Sequence, residues 1–253
     1  MKPQRRIARV VTVPPLGPGF VGPGHLAAQV VSPEDFLLND RFIVLMDDHL
    51  DIGDRTVGEP HPHAGFETVT LLLDGAICDR DEGGVIEAGE VQLMTAGRGI
   101  IHGENVATKG KVRLLQLWLT LPKDQRWTTP GFQPTSNNGF AYLIDGSIQV
   151  GGAVLNRGQI GWLDRPNDEG TSVLHVVSGE DGARLVLYAG QPQGDTIVSH
   201  GPFIGDLKED IVRLYTEYRA GEFVRMTELA TGRLNPFCER QKKGSIHPTI
   251  ERS

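Results

Sequence analysis

A chain of 253 residues with 39% hydrophobic and 23% charged side chains can bury a sizeable core, which excludes an intrinsically disordered protein. Its 32 acidic residues outnumber 25 Lys and Arg, and the net charge of −7 argues against direct binding to a nucleic-acid backbone. No apolar run approaches the roughly 18 residues that span a membrane, and the opening MKPQRRIARVVTVPP lacks a signal-peptide core, so a cytoplasmic protein without membrane contact is expected.

The 32 glycines predict many tight turns, as in an all-β chain. In chain order, VPPLGPGFVGPGH (13–25) is rich in Pro and Gly and predicts an extended, irregular wrap. RFIVLMDDHLD (41–51) reads as a short strand. Between residues 60 and 122 come further strand-like runs broken by turn signals: FETVTLLL, AICDRD, GGVIEAGEVQLM, GIIHGENV and VRLLQLWLTLP. In the last of these Leu115, Leu117 and Leu119 share one face and Gln116, Trp118 and Thr120 the other, the pattern of a half-buried strand. The stretch 122–139 loses the alternation and collects Pro, Ser, Asn and Gly, which marks a linker. Strand-like runs resume at 140–164 and 172–192, so the second half echoes the first. The expected division is an N-terminal domain over 1–130, a C-terminal domain over 131–230 and a polar tail over 231–253. One helix is expected late, in DLKEDIVRLYTEYRAG, with Asp206 as N-cap, Glu209 completing a capping box and Gly221 as the left-handed stop.

Chemistry concentrates in two short motifs. Residues i and i+2 of a strand point the same way, so His61 and His63 in PHPHAGFETV project to one face. Glu67 shares their parity if the strand stays regular through Gly65. Downstream, His102 and Glu104 in GIIHGENV form a second i, i+2 pair. Two antiparallel strands presenting these pairs inward can close three imidazoles and a carboxylate on one ion. Three nitrogens and one oxygen with positions left open suit Fe(II), Mn(II), Ni(II), Cu(II) or Zn(II), and no nearby thiolate favours a softer metal. Glu104 is the better fourth ligand, and Glu67 is either a partner behind the ligands or a proton acceptor. His25, His49, His175, His200 and His247 stand singly and read as surface or hydrogen-bonded core residues. The two cysteines, Cys78 in a strand and Cys238 in the tail, predict no disulfide framework and an inert buried thiol at Cys78.

HPHAGFETVT, GEVQLMTAGRGIIHGE and LLQLWLTLP together resemble the pirin family of the cupin superfamily, and HGPFIGDLKEDIVRLYTEYRAGEF resembles the family's C-terminal signature. The resemblance covers most of residues 40–225. It implies two jelly-roll-like cupin β-barrels with a short C-terminal helix, and a metal, Fe(II) first among the candidates, in the N-terminal barrel only. The family's three histidines and glutamate fall on His61, His63, His102 and Glu104, the residues that spacing had singled out. Departures lie beside the ligands: Ala64 where a basic residue follows HPH, Gly103 where serine is common, and Leu93 where an aromatic is frequent.

Two functions follow from the resemblance. One is a quercetin 2,3-dioxygenase, opening a flavonol-like aromatic with O₂ at the metal, with Glu104 or Glu67 taking the hydroxyl proton. The other is a metal- or redox-dependent regulator that docks on a protein partner, a transcription factor or a metabolic enzyme.

Overall fold

A computed structural model describes residues 5–53, 56–79, 85–106, 110–130, 138–164, 174–190 and 193–225. The first half contributes β1 (Ile7–Thr12), β2 (Gly17–Pro18), β3 (His25–Val31), the single-turn helix α1 (Phe36–Asn39), β4 (Phe42–Leu50), β5 (Thr56–His63), β6 (Phe66–Asp74), β7 (Ala76–Asp79), β8 (Val85–Glu87), β9 (Val91–Thr95), β10 (Ile100–Val106) and β11 (Val112–Thr120). The second half contributes β12 (Asn138–Val150), β13 (Ala153–Asn156), β14 (Gln159–Leu163), β15 (Val176–Gly190), β16 (Val198–His200), β17 (Phe203–Gly205), helix α2 (Lys208–Arg219) and β18 (Val224–Arg225). The chain is mostly β, as its composition and alternation imply.

Three sheets stack as layers, and the middle one explains the rest. It has the order β2-β3-β4-β11-β6-β9 and is antiparallel throughout. One face carries Leu115, Leu117, Phe42 and Leu45, which pack on Phe140, Tyr142, Ile160 and Trp162 of the sheet built from β1, β12, β13, β14 and β15. The opposite face carries Leu72, Val112 and Leu114, which pack on Val57 of β5, Ile77 of β7 and Ile86 of β8. The alternation in β11 therefore separates two cores, one on each face. Each buried Leu of such a face contributes about 2–5 kcal/mol against truncation to Ala.

The resemblance implied two jelly-roll-like cupin barrels, and the sheet-rich fold agrees with it short of closed barrels. Among the described residues the hydrogen-bonded ladders instead end in open edges, and closure is by face-to-face packing, as in double-sheet jelly rolls. The Pro- and Gly-rich stretch 13–24 is mostly irregular, as expected, with the two-residue β2 pairing with β3. Ahead of it, β1 crosses over to pair with β14 of the second half. The expected linker is docked rather than loose over its described part. Arg126 is fully buried, donates to the carbonyls of Leu121 and Gly205, and pairs with Asp206. Residues 131–137 and the polar tail lie outside the described residues.

The predicted helix is present, but its start differs. Asp206 faces Arg126, so the helix begins one residue later, at a cap on Leu207. The Asp210 carboxylate, rather than Glu209, accepts the backbone N–H groups of Asp206 and Leu207 at 3.0 Å each. Gly221 adopts the left-handed conformation expected of a stop. His25 is a satisfied core histidine: Nε2 donates to Asp48 at 2.7 Å and Nδ1 accepts from the Val21 N–H. Cys78 contradicts its reading as an inert thiol, because it is disulfide-bonded. The only other cysteine in the sequence is Cys238, outside the described residues. Spacing could not have shown this, since a strand pattern carries no information on cysteine pairing.

Candidate metal centre

The antiparallel pairing of β5 with β10 builds the site. His102 stands directly opposite His61, and Ile100 opposite His63. Because i and i+2 share a face, all three imidazoles emerge on the side turned toward the middle sheet. Their ring centroids lie 4.5 Å (His61–His102), 4.7 Å (His61–His63) and 5.1 Å (His63–His102) apart. One nitrogen from each comes within 4.8 Å of the other two. Two nitrogens on one divalent ion stand about 3–4 Å apart, given metal–nitrogen bonds near 2 Å, so a small inward movement closes the trio on an ion.

The protonation state also fits. Burial, followed by the nearby His102 and His61, holds His63 well below the usual imidazole range, with the Pro202 carbonyl partly offsetting. Burial and His61 push His102 down to about 3. Both rings are therefore neutral at physiological pH, the form that ligates a metal. His61 is oriented from behind: its Nδ1–H donates to the Glu59 carbonyl at 2.7 Å, which fixes the tautomer and leaves Nε2 free toward the site. Three clustered imidazoles, two of them held neutral by burial, are a donor set for a divalent metal, and the residues fit one.

The two carboxylates part company. Glu104 is buried on β10. The register slips both between His102 and Glu104 and between Glu104 and Asn105. Such bulges re-aim side chains, and the group within 4.8 Å consists of the three histidines without Glu104. Glu67 is on the wrong side of a sheet. Gly65, at φ +87°, ends the run that β5 begins, and β6 belongs to the middle sheet instead. There Phe66 faces the histidines, so Glu67 points the opposite way. It accepts from Thr95 Oγ1 at 2.8 Å and lies 3.5 Å from Arg41 on the face that meets the second half. Burial raises its pKa, with Thr95 and Arg41 opposing.

Opposite the trio, the middle sheet supplies an aromatic wall that spacing alone did not reveal. His63 meets Phe66 and Trp118 edge-on, at 5.2 and 5.3 Å, and these two rings stack at 4.5 Å. Buried Thr68 and Thr70 share the face of Phe66. The signal was available in the alternation of β11, where Trp118 falls on the face away from the leucines. Of the other histidines, His49 contacts Asp47 between the halves, and His200 packs edge-on against Tyr215. Neither approaches the trio.

Comparison with known proteins adds the family context. A pirin model matches residues 24–119, and a pirin C-terminal cupin domain model matches residues 117–224. A pirin-like protein of Caulobacter vibrioides is 29% identical over 258 residues, covering 79% of this chain and 90% of that protein. A quercetin 2,3-dioxygenase from Acinetobacter baumannii superposes with a TM-score of 0.72 at 20% identity, covering 87% of this chain and 98% of that one. A bacterial pirin from Escherichia coli in complex with nickel(II) superposes with a TM-score of 0.54 at 16% identity, covering 73% of this chain and all of that one.

Proposed function

The chain belongs to the pirin family of the cupin superfamily, and on that premise we propose that it is a metal-dependent dioxygenase of the quercetin 2,3-dioxygenase type. The observation that carries this reading is the trio of clustered imidazoles backed by the aromatic rings of Phe66 and Trp118, a metal donor set against an apolar side. The dioxygenase and the nickel-bound pirin that share the fold support it. A divalent metal at the trio, Fe(II) first among candidates, supplies Lewis acidity toward a flavonol hydroxyl.

The protein's own groups do the remaining work. His61, His63 and His102 hold the ion, and Glu104 is the proposed fourth ligand, two residues beyond His102 on the same strand. Its carboxylate also takes the proton of the substrate hydroxyl, a role that rests on its burial and on its place in the chain two residues after His102. Trp118, half-buried beside His63, would stack on the substrate ring, and the fully buried Phe66 backs it and keeps water out.

The test is to load the protein anaerobically with Fe(II), add quercetin, and follow flavonol absorbance together with O₂ consumption. Coupled loss of both is the expected result. Absence of turnover with every first-row divalent metal sinks the dioxygenase reading while leaving the metal centre intact.

A further inference from the structure

The segment from β16 to β18 follows the second sheet in the chain, yet it packs on the metal-bearing half. Phe203 forms a bridge with Ala64, the residue after His63. The Ile204 N–H donates to the Ala64 carbonyl at 3.0 Å, and the Ala64 N–H donates to the Pro202 carbonyl at 3.4 Å. At the far end of the segment, β18 pairs in parallel with Ile100 and Ile101, the two residues before His102. Between these grips, Phe203, Ile211, Leu214 and Phe223 form one buried cluster with Ala64. The fit is close at both strand ends. A Cβ on Gly65 would run into the Ile204 carbonyl, and one on Gly99 would stand 3.0 Å from the Phe223 ring.

We propose that residues 198–225 act as a positioning clasp for the metal centre, holding the end of β5 that carries His63 and the start of β10 that carries His102. The need for a clasp comes from the β5–β10 ladder itself. Its regular part is short: Ile100, Ile101 and His102 pair in register with His63, Pro62 and His61, and the register then slips twice between His102 and Asn105, so only three paired positions hold the histidine-bearing end. Clasp docking and metal binding then stabilise each other, because coupling between two sites is reciprocal. No clasp residue belongs to the histidine trio. The inference rests on the reading of that trio as a metal site.

Hydrogen exchange on the full chain with and without Ni(II) tests it, over short times at which local opening governs exchange. If opening of the clasp must release the ion, amides of β17, α2 and β18 slow by about 100-fold when free Ni(II) is 100 times its Kd. Amides of β12 and β13, in the outer sheet, keep their metal-free rates. Protection confined to β5 and β10 overturns the clasp while leaving the metal centre standing. A chain that takes up no Ni(II) overturns both.

A substitution adds a second readout. Phe203→Ala is expected to weaken Ni(II) binding by about 10–100-fold, the usual effect of removing support from behind a ligand. Leu155→Ala, a buried truncation in the outer sheet, leaves Ni(II) affinity unchanged. Should Phe203→Ala fail to fold, Tyr215→Ala removes the ring that backs Phe203 at 4.7 Å and is read the same way. Unchanged affinity in a folded clasp variant contradicts the proposal.

Discussion

Replacing Glu67 by Gln separates a carboxylate of the metal centre from one that joins the two halves. The structure places it on the inter-lobe face, with Thr95 donating to it at 2.8 Å and Arg41 forming an ion pair with it at 3.5 Å. Two opposing effects set the size of the change. Removing the charge opposite Arg41 costs about 1.5–3 kcal/mol, the usual worth of a hydrogen bond to a charged group, and the long 3.5 Å contact favours the low end. Against that, burial raises the Glu67 pKa above its ordinary 4.5, so folding already favours the protonated form that Gln imitates. The expected net change at neutral pH is within about 1 kcal/mol. The pH dependence has a definite sign. As pH rises from 4.5 through the raised folded value, the unfolded chain releases its proton first and the wild type loses stability, whereas the variant has no proton to release there. The variant therefore gains on the wild type across that window, as urea unfolding below and above it will show. Metal content and flavonol turnover are expected to be unchanged. A folded variant that loses its metal, or whose turnover falls by about 100-fold, the scale of a missing general base, refutes the assignment of Glu67 to the inter-lobe face.

Further outcomes follow from other contacts. Asp47 is buried; desolvation alone would raise it, but hydrogen bonds from Arg113 (3.0 and 2.7 Å) and Tyr142 (2.7 Å) outweigh that and hold it below the usual carboxylate range. Asp47→Asn is expected to cost about 3–5 kcal/mol in urea unfolding, because it strands Arg113. That difference is fully present above pH 3.8 and shrinks as pH falls through the lower folded value. The metal-free protein should lose stability as pH falls below 6.5, by about 1.4 kcal/mol per pH unit for each of His63 and His102, because unfolding lets these depressed groups take up protons. Acid titration of unfolding measures this, and a flat profile from 6.5 downward contradicts it. Trp118→Ala, removing half of the stacked pair, is expected to cost about 3 kcal/mol and to keep the metal while weakening flavonol binding. Unchanged flavonol affinity removes Trp118 from the substrate wall.

Much of this was legible in the sequence, for reasons that differ by element. The period-two pattern of β11 and the spacing of His61, His63 and His102 survive folding because strand geometry turns parity directly into facing. The same rule misplaced Glu67, since parity holds only while a strand continues and Gly65 breaks it with a positive φ. Asp206 looked like a helix cap by composition, but buried Arg126, distant in sequence, claims it. The crossover of β1 and the grip of β17 on Ala64 are long-range pairings, and local pattern carries no record of them. The aromatic wall fell between these cases: the face of Trp118 was readable, while its neighbour across that face was not.

The central claim is that His61, His63 and His102 hold one divalent metal. Elemental analysis of the wild type beside His63→Ala and His102→Ala, each purified identically and loaded with the same metal, tests it most directly. The account predicts close to one ion per wild-type chain and near-complete loss in both folded variants. Either variant retaining its full complement of metal would contradict it.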